Sequence, residues 1–170
     1  VKSVIAKDLD LELLGGELVC LLGKNGIGKS TLLRTLTGVQ PALAGEIRLK
    51  ETLLQEITRQ QVARKIAVVL TEKPETGNFS VYELVALSRH PYTNWMGTLK
   101  KEDKKEIELA LEQTDLSVLR DRKVDELSDG QLQRVMICRA LAQNTELIIL
   151  DEPTAHLDIQ HKIETFHLLK

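Results

Sequence analysis

The chain has 170 residues, 42% of them hydrophobic, which is enough for one domain with a real core. Its formal net charge of −2 excludes a generally basic surface for nucleic acid, and an aromatic fraction of 3% argues against base-stacking platforms. No apolar run approaches the ~18–20 residues that span a bilayer. The opening VKSVIAKDLDLEL mixes charges into its apolar residues, unlike a secretory leader, so the chain reads as soluble and intracellular. Cys20 and Cys138 fall in different predicted elements, and both are expected as buried small residues rather than as a disulfide or a metal site.

In chain order, Glu17–Leu22 (ELVCLL) is a short apolar run ending at glycine, the pattern of a buried parallel strand. A glycine-rich turn follows, and Lys29–Thr37 reads as a helix. Gly38, Pro41 and Gly45 punctuate a loop before a strand at Glu46–Leu49, with Ile47 and Leu49 on one face. A short helix is expected over Arg59–Arg64, and Ile66–Leu70 (IAVVL) is a second strand-like run. TEKPETGN is a loop. Ser80 and Glu83 then form a capping box that opens a helix through about Arg89, with HPYTNWMG irregular after it. The run KKEDKK, read as a solvated face, leads into a helix with Ile107, Ala110 and Leu111 at i, i+3, i+4 spacing. Ser128 and Gln131 make another capping box, starting a helix over 128–142, and Leu147–Leu150 (LIIL) is the third strand-like run. Residues 78–127 thus read as a helical insertion in an α/β core.

Two segments carry chemistry. GKNGIGKST follows a predicted strand and enters a predicted helix, and Gly23, Gly28, Lys29 and Ser30 satisfy the phosphate-loop pattern G-x-x-x-x-G-K-[ST]. Glycines let consecutive backbone N–H groups turn toward phosphate oxygens, and the helix start adds positive partial charge. Phosphate binding therefore falls to Gly23, Lys24, Asn25, Gly26, Ile27, Gly28, Lys29, Ser30 and Thr31. Lys29 is expected to reach the β- and γ-phosphates, and Ser30 to place its hydroxyl on Mg²⁺. In LIILDEPT, Asp151 ends an apolar strand, at the sheet edge where ligands of open α/β folds gather. That aspartate suits Mg²⁺, and Glu152 suits orienting or deprotonating an attacking water. A strand ending in Asp-Glu is also ordinary polar termination; the phosphate loop in the same chain favours the catalytic reading.

Taken together, GKNGIGKST, LSDGQLQRV and LIILDEPTAHLD closely resemble the ATP-binding subunit of ABC transporters, over nearly the whole chain. The resemblance implies an α/β P-loop NTPase core with a mainly parallel sheet flanked by helices, made of 1–77 and 128–170, with 78–127 as the helical subdomain of a single domain. It makes LSDGQ the family signature, usually LSGGQ, and Ala155–Asp158 the D-loop. Two such subunits pair head to tail, as homodimer or heterodimer. Ser128, Gly130, Gln131 and Asp158 then belong to the nucleotide site, with Ser128 and the Gly130 N–H on the γ-phosphate held by the partner. ATP and Mg²⁺ are the implied cofactors, Glu152 and Lys29 the catalytic groups, and Ser30, Asp151 and Thr71 the metal-side residues. Integral-membrane permease subunits are the implied partners, at the cytoplasmic face of the inner membrane.

The chain departs from the family pattern at four places. Thr71 and Glu72 stand where the family has a glutamine, and Asp129 replaces the first glycine of LSGGQ. A carboxylate there suits the helix dipole but repels a facing γ-phosphate, so Asp129→Gly is expected to tighten the ATP-bound dimer. The family's switch histidine follows the D-loop after another strand. His161 and His167 come too early and read as surface residues, and His156 and His90 lack convincing ligand partners. No aromatic residue precedes Gly23 to stack on adenine. The chain accordingly reads as a piece trimmed at both ends.

The stretch LVALSRHPYTNWMG resembles the helical subdomain of iron-siderophore, haem and cobalamin importers around a Gly-Arg-x-Pro motif, with Ser88 in place of the glycine. Tyr92 and Trp95 read equally as packing residues. The expected function is therefore the ATPase subunit of an importer of that type, with no direct contact to nucleic acid. The alternative is a soluble ABC-type ATPase of DNA repair or translation. The repair ATPases insert a long coiled coil between P-loop and signature, whereas only about a hundred residues separate Lys29 from Ser128 here, without sustained heptads.

Overall fold

The computed structural model describes residues 5–70 and 77–153. It divides into two units, residues 1–62 and 63–170.

In the first unit, helix α1 (Lys29–Leu36) follows the glycine-rich loop. Its C-terminal end folds over at Thr37 and Gly38, where the Gln40 N–H donates to the Arg34 carbonyl at 3.1 Å. Strands β1 (Arg48–Leu49) and β2 (Thr52–Leu53) pair antiparallel around Lys50, whose φ of +55° makes the tight turn. Leu54, at the start of a 3-10 turn, is buried and meets the space beside Gly38. A short helix, α2 (Arg59–Ala63), comes next. The expected strand at 46–49 is thus a two-residue arm of a hairpin.

The apolar run Glu17–Leu22 is not a strand. Leu14 and Glu17 close a turn on themselves, with the Glu17 N–H on the Leu14 carbonyl and the Leu14 N–H on the Glu17 carboxylate, about Gly16 at φ +82°. Beyond it no ladder hydrogen bonds form among the described residues, and Leu18, Val19, Leu21 and Leu22 are exposed. A strand exists only through its neighbour's N–H and C=O groups, so an apolar run without one stays irregular. Cys20 is exposed for the same reason, against the expectation of burial.

The second unit contains the larger core. Strands β3 (Ile66–Val69) and β4 (Leu147–Leu150) pair parallel in the register Ile66–Leu147 to Val69–Leu150. Helix α5 (Asp129–Ala142) packs on β3 and against α3 (Val81–Ala86) and α4 (Lys101–Gln113). Their shared interior holds Val81, Val85, Ile107, Leu111, Leu116, Val135 and Cys138, none more than 1% exposed. Ile107, Ala110 and Leu111 sit inward as their spacing requires.

Helix α3 is shorter than expected. Its capping box is complete at Ser80 and Glu83, but the α-helix gives way after Ala86 to a 3-10 helix over Leu87–Tyr92. Pro91 has no N–H to continue an α-helical ladder. The region expected to be irregular is therefore helical through Tyr92. KKEDKK is not purely a solvated face either: Asp103 is 2% exposed and ion-paired with Arg89.

Candidate nucleotide site

In the first unit the loop Gly23–Gly28 is drawn into a turn by the Ile27 N–H, which donates to the Lys24 carbonyl at 3.4 Å. Gly26 and Gly28 take φ of +78° and +106°, values that a residue with a side chain rarely adopts. Gly28 is also sterically closed: a Cβ there would run into the Ile5 side chain. Lys29 reaches back over the loop, its Nζ donating to the carbonyls of Gly23 at 2.8 Å and Lys24 at 3.0 Å. A cation and the loop backbone thus converge in one place.

Helix α1 begins at Lys29, Ser30 and Thr31 with no side-chain cap and no acidic residue in its first turn. Most helices satisfy their first amides with a Ser, Thr, Asp or Asn side chain. Here Gly28 provides none, which suits amides that receive an anion. Lys24, Asn25, Gly26 and Ile27 are exposed along the loop, and Ser30 and Thr31 are half-buried at the helix start. These residues fit a nucleotide polyphosphate. The Ser30 hydroxyl and a neighbouring phosphate oxygen are hard donors of the kind Mg²⁺ takes.

In the second unit Asp151 directly follows β4. Its N–H donates to the Val69 carbonyl at 2.8 Å, carrying the β3–β4 ladder one residue further, and Asp151 is 4% exposed. The backbone of Asp151 is therefore fixed at the carboxyl end of two parallel strands. Glu152 is exposed and holds a φ of +51°. Such left-handed conformations are uncommon for glutamate, and here one turns the chain off the sheet immediately after the buried aspartate. Thr71, expected beside the metal, and Asp158 of the D-loop lie outside the described residues, as do Glu72, His156, His161 and His167.

Ser128 caps α5. Its Oγ accepts from the Gln131 N–H at 3.2 Å, and the Gln131 Oε1 accepts from the Ser128 N–H at 3.0 Å. Both halves of the capping box are made, so Gln131 is engaged with its own helix start. Ser128 and Asp129 are exposed and Gly130 is half-buried. The structure therefore brings together Gly23, Lys24 and Lys29 in the first unit, Ser128 with Gln131 in the second, and Asp151 with the end of β3.

Sequence reasoning missed one group near these elements. Arg89 and Asp103 form a buried ion pair at the far end of α5, and the half-buried Tyr92 stacks on it, with Arg89 Cζ 3.9 Å from the Tyr92 ring centroid. Trp95, grouped with Tyr92 as a packing candidate, is 93% exposed. The clue in sequence was the S-R-H-P string, whose arginine had no assigned partner.

The model of the ABC transporter family matches residues 6–155 of this chain. An ABC transporter ATP-binding protein of Methanocaldococcus jannaschii is 40% identical over 167 residues, covering 98% of this chain and 58% of the relative. The iron(3+)-hydroxamate import ATP-binding protein FhuC of Bacillus subtilis is 39% identical over 167 residues, covering 98% of this chain and 62% of FhuC. Among solved structures, a transporter assigned to the metal-chelate ABC type, in an inward-facing conformation, superposes with a TM-score of 0.81 at 32% identity. That match covers 95% of this chain and 59% of the other. The dimeric bacterial ABC transporter cassette MJ0796 gives a TM-score of 0.80 at 27% identity, covering 97% of this chain and 73% of that one. The fold is that of an ABC-type P-loop NTPase. The chain belongs to the ABC transporter family, and it spans about three fifths of the length of the curated relatives it matches.

Proposed function

We propose that this chain binds and hydrolyses ATP as part of the ATPase subunit of an ABC importer for iron-siderophore, haem or cobalamin complexes. The observation that carries the reading is the first unit's loop. An uncapped helix start, two left-handed glycines and Lys29 Nζ over the loop carbonyls form an anion receptor beside a lysine. Support for import comes from relatives such as FhuC, which match along 98% of the chain. No comparable support favours the alternative in DNA repair or translation.

In this reading residues 1–77 and 128–170 form the core, and 78–127 the helical subdomain. Mg²⁺ bound with the nucleotide would supply charge withdrawal from the phosphate oxygens, which lowers the barrier to attack. Ser30 and Asp151 would hold the ion, with Thr71 in place of the family's glutamine. Lys29 exchanges its two carbonyl acceptors for phosphate oxygens, which leaves the Gly23 and Lys24 carbonyls to water. Glu152, exposed just past the buried aspartate, orients the attacking water and accepts its proton. Ser128 and Gly130 of one copy close over the phosphate loop of another, head to tail. Gln131 and Asp158 complete that shared site. The permease subunits sit against the assembly at the cytoplasmic face of the membrane; among the described residues no helix is long and apolar enough to cross it.

The test is the solution mass of Glu152→Gln by light scattering, with and without Mg-ATP. Removal of the catalytic base is expected to trap a dimer with Mg-ATP and leave a monomer without it. A monomer under both conditions would count against the shared site.

A further inference from the structure

Arg89 lies in the 3-10 helix before α4 and is 6% exposed. Its Nε donates to Asp103 Oδ1 at 3.0 Å, and its Nη1 donates to the Ala142 and Gln143 carbonyls at 3.0 Å each. These are terminal carbonyls of α5, the negative end of its dipole. Asp103 Oδ2 in turn accepts from the Lys100 N–H at 2.9 Å, which fixes the start of α4. The Tyr92 ring stacks on the guanidinium. Gln143 adds a tie to the sheet, its Nε2 donating to the Ile66 carbonyl at 3.1 Å. One planar group therefore sets the angle between the start of α4 and the end of α5.

The opposite end of α5 is built differently. Ser128 and Asp129 are exposed, and the capping box ties Ser128 to its own helix. Helix α5 has 14 residues, a length of about 21 Å. A tilt of about 3° about the pinned end moves Ser128 by about 1 Å over that length. Misplacement by ~1 Å costs on the order of a hundredfold in rate.

We infer that Arg89 is a positioning residue: by clamping the C-terminal carbonyls of α5 it sets the aim of Ser128 at the nucleotide of a partner copy. The inference rests on the role proposed above for Ser128. A lysine keeps the charge opposite Asp103 but, as a compact ammonium, lacks the planar fork that serves the carboxylate and two carbonyls together.

The experiment compares wild type, Arg89→Lys and Asp103→Asn in a Cys20→Ser background, with nitroxide labels at Val118→Cys and Asp129→Cys. Both label positions are exposed, and Cys138 is buried. The label–label distance distribution is read by pulsed electron resonance, and steady-state ATPase is measured on the unlabelled variants. Arg89→Lys is expected to broaden the distribution and to lower kcat at least tenfold with KM for ATP within twofold of wild type. Asp103→Asn, which leaves the bonds to α5 in place, keeps a narrow distribution. A brace needed only for folding would lower thermal stability in both variants without that split. An unchanged distribution in Arg89→Lys overturns the inference whatever the turnover. Wild type without ATPase activity overturns the proposed function instead, since the label distances still report on α5. Tyr92→Leu removes the stacked ring but no partner of the ion pair. It is expected to broaden the distribution less, and it decides the matter if Arg89→Lys does not fold.

Discussion

Ser128 serves two roles whose energies separate. Ser128→Ala removes the acceptor for the Gln131 N–H and loosens the return bond from Gln131, so α5 loses its cap. Loss of a serine cap costs about 1 kcal/mol, which lowers Tm by about 2–4 °C in a chain of this size. Ser128→Asp caps as well as serine and complements the dipole, so its stability should stay within about 0.5 kcal/mol of wild type. It also places a carboxylate where the γ-phosphate of the partner copy is proposed to sit. Two unit charges ~4 Å apart at an effective dielectric constant of ~20 repel by about 4 kcal/mol, roughly a thousandfold in rate. The assay pairs thermal melts with steady-state ATPase on both variants. The expected pattern is a less stable, partly active alanine variant and a stable, inactive aspartate variant. If Ser128→Asp turns over like wild type, or if activity only follows the folded fraction, Ser128 is a helix cap and nothing more.

Gly28→Ala forces a side chain into a left-handed position and against Ile5, so nucleotide binding, read by fluorescent ATP analogue titration, is expected to weaken at least tenfold. Wild-type affinity would show that the loop does not hold the phosphates in this conformation. Ser88 is 4% exposed and its hydroxyl has no hydrogen-bond partner among the described residues. Ser88→Ala should leave stability unchanged or raise it by about 1 kcal/mol in urea melts, and a loss of that size would reveal a partner for the hydroxyl. Burial raises the Cys138 thiol from 9.0 to about 11, with a Thr114 hydrogen bond opposing the shift. The folded state thus favours the protonated thiol. Its contribution is fully present below about pH 9 and is lost as pH rises toward 11, at up to about 1.4 kcal/mol per pH unit. Urea melts of wild type and Cys138→Ala should diverge across that window, and parallel curves would remove Cys138 as the cause.

What could be read from the sequence was local. The boxes at Ser80 and Ser128 need only a partner three residues away, and both are complete. The inward stripe of α4 follows from helical period alone, and Ile66–Val69 and Leu147–Leu150 carry enough apolar character to pair wherever they meet. What was hidden depends on partners far along the chain. Asp103 stands among lysines, and its burial is decided by Arg89, 14 residues earlier, and by the carbonyl of Ala142, 53 residues from that arginine. Glu17–Leu22 has strand-like residues, but a ladder is a property of two segments, and here the run turns back on Leu14 instead.

The candidate site divides along the same line. The Gly23–Thr31 loop is legible because each part of it, the left-handed glycines, the uncapped helix and the returning lysine, is satisfied within nine residues. Asp151 is legible as the end of a strand, but its fixed position comes from Val69, on the neighbouring strand. Ser128 is the extreme case. Its local bonds fully account for a serine at that place, so nothing in its own surroundings distinguishes a cap from half of a shared site. Only a perturbation that keeps the cap and changes the charge separates the two, and for that reason Ser128→Asp decides more about this chain than Ser128→Ala.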